Sequence, residues 1–156
     1  MAGNNCSASE YLSYAAKKGS LEGVKAALKA GADIDLPWKP SDSHLPPCTA
    51  LFWACMNGHV DVARLLLRKG ASLVKRTVGA FSPLHGAASE GRTEVVELLV
   101  NHGATVDVRD GFQHTPLTTA CMFNHVDTVR RLIELGARPD LIKTVRRQVS
   151  IPSIRV

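Results

Sequence analysis

Ser82-Pro83-Leu84-His85-Gly86-Ala87-Ala88-Ser89-Glu90-Gly91, followed by Arg92-Thr93-Glu94-Val95-Val96-Glu97-Leu98-Leu99-Val100-Asn101-His102-Gly103-Ala104, is the stretch whose reading decides the fold. Ser82 is suited to cap a helix N-terminus, and Pro83 fits the first helical position, where its missing N–H costs nothing. Gly91 stops that short helix. Val95, Val96, Leu98, Leu99 and Val100 then form a second helix with an apolar stripe that needs cover on more than one side. Ala87 and Ala88 let a neighbouring helix approach closely. Glu94 suits the positive end of the second helix, and Gly103 sits where a left-handed residue ends it.

The same anatomy recurs along the chain. Gly31-Ala32, Gly70-Ala71, Gly103-Ala104 and Gly136-Ala137 are spaced 39, 33 and 33 residues apart, and Gly19, Gly58, Gly91 and Asn124 keep that rhythm. A fixed period of this length means stacked supersecondary units. Asn124 stands in for glycine as the usual second choice at positive φ. The first unit lacks the Thr-Pro opening and carries Glu10, Lys17, Lys18, Glu22, Lys25 and Lys29, the polar character of an end cap.

Composition bounds the function without choosing it. The 156 residues are 45% hydrophobic and 21% charged, enough to bury a continuous core, with a formal charge of +5 that permits an acidic partner. No apolar run approaches the ~20 residues that span a bilayer, and residues 1–5 lack a signal pattern, so the expected location is cytoplasmic or nuclear. Cys6, Cys48, Cys55 and Cys121 form no CxxC pair and read as buried small hydrophobes in a reducing compartment.

The pattern Ser/Thr-Pro-Leu-His, a small pair, Gly-His, a Val/Leu-rich helix and Gly-Ala at a period of 33 resembles ankyrin repeats. The resemblance covers about residues 8–143 and implies an all-α solenoid of stacked helix-turn-helix units with hairpin-like finger loops. We expect one domain over residues 1–143, with repeats at about 8–36, 49–77, 82–110 and 115–143, an inserted loop at 37–48 and a basic tail at 144–156. There are departures from the family pattern. The His of Pro-Leu-His survives only as His85, with Phe52 and Thr118 in its place elsewhere, and Ala80 and Gln113 stand where a finger-tip glycine is usual, which is expected to weaken loop hydrogen bonds.

Catalysis has little to stand on: there is no P-loop, no dinucleotide fingerprint, no HExxH, and no nucleophile in register with a base. We expect no cofactor and no metal. His59 and His125, two modules apart, are too distant to share an ion; in ankyrin repeats such histidines tie adjacent loops. His85 reads as a turn brace, while His44, His102 and His114 are expected to be solvated.

Binding positions follow by subtraction. The residues left over by caps, turns and core are Lys17 and Lys18, Met56 and Asn57, Ser89 and Glu90, and Met122 and Phe123, which the resemblance places on one concave face. Met beside an aromatic suits a protein groove, the alternative being that Met56, Met122 and Phe123 merely complete the core. The fingers add Lys75, Arg76, Val78 and Phe81, then Arg109, Asp110, Phe112 and His114, with Arg76 and Arg109 stacked by register. Aromatic and Arg residues together dominate interface hot spots. A solvated basic finger is the alternative.

The insertion of six residues falls in a segment with Pro37, Pro40, Pro46 and Pro47 that carries Trp38, either a contact arm or a flap folded over the first module. In the tail, Arg146-Arg147 before Ser150 could attract a basophilic kinase, and the Ile154-Arg155-Val156 end could add a strand to a PDZ-type groove. The reading that emerges is a monomeric, non-enzymatic protein-interaction module, adaptor or regulator. An inhibitor of a kinase or other enzyme using the same face is the first alternative, and a basic nucleic-acid or phospholipid binder the second.

Overall fold

The computed structural model describes residues 7–144, so the tail features at Arg146, Arg147, Ser150 and Ile154–Val156 lie outside the described residues. Eight helices run in sequential pairs: α1 (Ala8–Lys18) with α2 (Leu21–Lys29), α3 (Ala50–Met56) with α4 (Val60–Arg68), α5 (Pro83–Ser89) with α6 (Thr93–Asn101), and α7 (Pro116–Met122) with α8 (Val126–Glu134). A 3-10 segment, Pro139–Thr144, follows. The first helices stack on one another as an inner layer, the second helices as an outer layer. Among the described residues the backbone pairing outside helices is confined to turns, caps, one isolated antiparallel bridge, Trp38 with Cys48, and a single bond between loops, from Gly111 to Gly79.

The periodic residues account for this stack. Ser7, Thr49, Ser82 and Thr115 accept from the backbone N–H three residues on and so start the inner helices. The Gly-Ala glycines end the outer helices at left-handed φ, 87° at Gly31 through 103° at Gly136. Between the layers runs one core in which Leu66, Leu99 and Leu132, in matching register, are completely buried. Burial of such a side chain stabilises by roughly 1.5–3 kcal/mol each.

Neighbouring modules are also tied by a repeated polar link. His59 Nε2 meets Lys17 O at 3.0 Å, Arg92 Nε donates to Met56 O at 3.2 Å, and His125 Nε2 meets Ser89 O at 2.8 Å. These three residues hold the N-cap position of α4, α6 and α8 but make no side-chain cap bond, because the side chain reaches back to the preceding module. Ser20, at the same position with no described module before it, caps its own helix through Gly23 N. The two histidines therefore link modules as expected; Arg92 has the matching role, which its residue type hides and its 33-residue offset from each marks.

The glycines facing these links need both their φ and their emptiness. A Cβ on Gly91 (φ +68°) would lie 2.5 Å from the His125 ring, and one on Gly19 would lie 2.6 Å from His59. Asn124 keeps the left-handed φ of 60°. Its side chain is exposed, with no described module beyond it.

Candidate functional site

The fingers are two tight loops locked to each other. Thr77 N donates to Phe81 O at 3.1 Å and Ala80 N to Thr77 O at 2.8 Å; one module on, Asp110 N donates to His114 O at 3.0 Å and Gln113 N to Asp110 O at 3.1 Å. Ala80 and Gln113 take φ of 59° and 67° where glycine is usual, so the loops keep their hydrogen bonds and carry backbone strain instead of losing bonds. Gly111 N donates to Gly79 O at 2.9 Å and Arg76 Nη1 to Arg109 O at 3.1 Å, which joins the fingers side by side.

Beneath the second finger is a buried carboxylate. Asp110 Oδ1 accepts from Phe112 N at 2.8 Å and His114 N at 2.9 Å, while Oδ2 faces His114 Nδ1 at 3.4 Å. Asp110 is thus spent on shaping the loop. His114 is corrected by the same contact: its side chain is only 18% exposed, not solvated, because it lies against the carboxylate. His85 braces the finger from below. Its Nδ1 accepts from Ser82 N at 3.2 Å, which leaves Nε2 to carry the proton and donate to His114 O at 2.8 Å. Burial pushes the His85 pKa below its ordinary value, partly opposed by the bond to His114 and by the Asp110 charge.

The remaining candidate residues separate into two kinds. Phe81 is half-buried and packs with Met56 on the Cys48, Phe52 and Trp53 cluster, its ring edge-on to His85 at 6.3 Å. Asn57 turns its amide to Trp53 O at 2.9 Å, and Ser89 bonds Gly86 O at 2.9 Å. Met122 is half-buried, whereas Glu90 and Arg109 are exposed. Phe112 is 70% exposed, with its ring stacked on His114 at 6.0 Å, and Phe123, directly after α7, is 56% exposed. Val78 at the first fingertip, 87% exposed, belongs to the same apolar set and stands two residues after Arg76 in the sequence.

The insertion folds back. Trp38 sits between Tyr14 and Trp53, edge-on to each ring with both centroids 6.3 Å away, and its carbonyl accepts from Trp53 Nε1 at 3.3 Å. Lys17 lies 5.3 Å over the Trp53 ring. This aromatic set was not foreseen beyond Trp38 itself, because Tyr14 and Trp53 share a register position across the irregular 39-residue interval.

The described thiols are held protonated by burial, and Cys6 lies outside the described residues. Cys48, Cys55 and Cys121 are free and buried, and burial raises Cys48 to about 12 and Cys121 to about 11, with Cys55 also raised. Among the described residues no three His, Cys, Asp or Glu side chains gather as a metal centre would require, and no helix is long and apolar enough to cross a membrane.

No curated protein matches the sequence. The family model for ankyrin repeats (3 copies) matches residues 12–110 and again 76–143, and those two overlapping matches together run from within α1 to beyond α8. With its capped inner helices, left-handed outer-helix ends and module-to-module links, the chain belongs to the ankyrin repeat family.

Proposed function

We propose that this chain is a non-enzymatic interaction module that binds a protein partner through its inner helix face and fingers. Ankyrin repeats are in general protein–protein interaction modules. The observation that carries the reading is the exposure of Phe112 and Phe123 on elements whose backbones are fixed by hydrogen bonds on both sides. Exposed aromatics on a rigid scaffold give contact area at small ordering cost. Arg76 and Arg109 lie on the same pair of fingers as Phe112 and would supply orientation, while Met122 offers Phe123 an adaptable neighbour. By register Met56 and Ser89 correspond to Met122, and Asn57 and Glu90 to Phe123, so they extend this surface along the stack, and Phe81 and His114 belong to the fingers.

Affinity capture with the wild type, Phe112→Ser and Met122→Ser/Phe123→Ser tests the reading. Loss of the same protein by both variants, at moderate salt, is the expected result. A partner retained equally by all three overturns it, and capture that collapses between low and moderate salt assigns the surface to phosphate-bearing ligands instead.

A further inference from the structure

On the opposite side of the molecule, between the outer helices α2 and α4, lies a cleft of about 530 Å³. Its apolar lining is Leu28, Ala32 and Ile34 with the edge of the largely buried Leu65, and Lys25, Lys29 and Lys69 line it too, with no acidic residue among the lining side chains. The one ion pair of Lys25 among the described residues is with Glu22, at 3.4 Å, and both side chains are more than half exposed, a contact worth little. Lys29 and Lys69 make no ion pair among the described residues. The negative ends of α2 and α4 account for a basic residue at each helix terminus, but not for Lys25 in the middle of α2.

The seam between α6 and α8 shows what is missing. There Arg131 binds both Glu97 and Glu134 and closes the outer surface. By register Glu97 corresponds to Lys25 and Arg131 to Leu65, so the first seam presents a cation and an apolar side chain where the third has a matched pair. The outer helices of the first half carry Lys25, Lys29, Arg64 and Arg68, with Lys69 capping α4, against Glu22 and Asp61. Those of the second half carry Glu94, Glu97, Asp127 and Glu134 against Arg130 and Arg131. The unmet positive charge is concentrated at the cleft.

We propose that the α2/α4 cleft docks an acidic amphipathic helix of a partner protein, a site separate from the inner face. Lys25 and Lys29 are one helical turn apart, roughly 6 Å along α2, the spacing of carboxylates at i and i+4 on an apposed helix. The helix lays Leu-type side chains on Leu28 and Leu65 and directs its carboxylates to the lysines, the helix-in-groove mode of recognition. Because the apolar residues line a cleft between two helices, a helix matches the surface better than a lipid headgroup plane.

The probe is a synthetic peptide of about 18 residues, long enough to be helical, with Leu on one face and Glu along its flanks. Its binding to the full chain is read by fluorescence anisotropy. The Glu peptide is expected to bind the wild type about tenfold or more tightly than its Gln counterpart, and Lys25→Glu/Lys29→Glu to lose that advantage while Met122→Ser/Phe123→Ser keeps it. A Lys-flanked peptide should in turn bind the Lys25→Glu/Lys29→Glu variant, which also shows that this variant is folded. Equal binding of the Glu peptide by wild type and Lys25→Glu/Lys29→Glu overturns the proposal. So does binding to phosphatidylserine vesicles without binding to the peptide. Loss only in Met122→Ser/Phe123→Ser moves the peptide to the inner face and overturns it as well.

Discussion

In the first two modules Tyr14 and Trp53, at one register position, clasp Trp38 of the insertion; in the last two that position holds Gly86 and Thr119, and the regular 33-residue interval between them carries no insertion. A Cβ on Gly86 would come 3.1 Å from Phe52, so the third module yields space to the aromatic cluster of the second. One repeating pattern is therefore used in two ways. The amino-terminal half packs its aromatic rings against one another, with Tyr11 and Tyr14 still 44% and 46% exposed, while the carboxy-terminal half leaves Phe112 and Phe123 more exposed, at 70% and 56%. Where the modules are irregular the inner face is partly covered by its own insertion, and where they are regular single aromatic side chains stand out from it.

If the halves share one core, the largest effect belongs to the residue that joins them. Leu99→Ala is expected to cost about 3–4 kcal/mol and to shift the whole urea transition, since it leaves too few intact modules on either side. Leu132→Ala removes an equally buried side chain at the end of the stack. Both tryptophans, Trp38 and Trp53, lie in the first half, so their fluorescence follows that half alone while circular dichroism follows every helix. In Leu132→Ala the dichroism should fall at lower urea than the fluorescence; equal displacement of the fluorescence by both variants would show that coupling is not limited to neighbours.

The next effect separates the halves directly. Trp38→Ala is expected to cost about 2 kcal/mol, below the range for a fully buried tryptophan because Trp38 is half-buried, and to leave partner capture intact. Loss of capture in a variant that melts normally would place the insertion in the interface. A smaller contrast lies between two left-handed glycines. Gly136→Ala meets nothing within 4 Å and carries only the φ penalty, about 1 kcal/mol, whereas Gly91→Ala also strikes His125 and is expected to lose about 1 kcal/mol more in thermal unfolding.

The modules were legible because period, caps and helix-ending glycines are local and repeat four times, so errors at one position are corrected at the others. His59 and His125 were legible for the same reason. Contacts that depend on a difference between modules were not. The seating of Trp38 needs the irregular interval, and the burial of His114 needs the conformation of Asp110, a single occurrence in a loop. Phe81 and Phe112 read as a pair from composition, yet by register Phe81 corresponds to His114 and Phe112 to Gly79, which is why one packs inward and the other faces water.

The smallest expected effect concerns pH and again distinguishes the halves. His85 in the second half is buried and neutral, whereas Phe52 and Ser13 hold its position in the first half and cannot titrate. Its folded pKa lies below the ordinary 6.5, chiefly through desolvation and despite the His114 carbonyl and Asp110; the Arg76 charge adds to the depression. The unfolded chain therefore takes up the proton first. Stability from this group is present above pH 6.5 and is lost as pH falls from there through the folded value. Protonation would also give Nδ1 a hydrogen directed at Ser82 N, which already donates to it. His85→Thr copies Thr118, whose hydroxyl meets Thr115 Oγ1 at 3.1 Å, and so keeps a polar brace without a titrating ring. In urea titrations across this window the wild type should lose stability on acidification more steeply than His85→Thr. Parallel pH profiles for the two proteins would mean that the neutral ring is not what holds the finger.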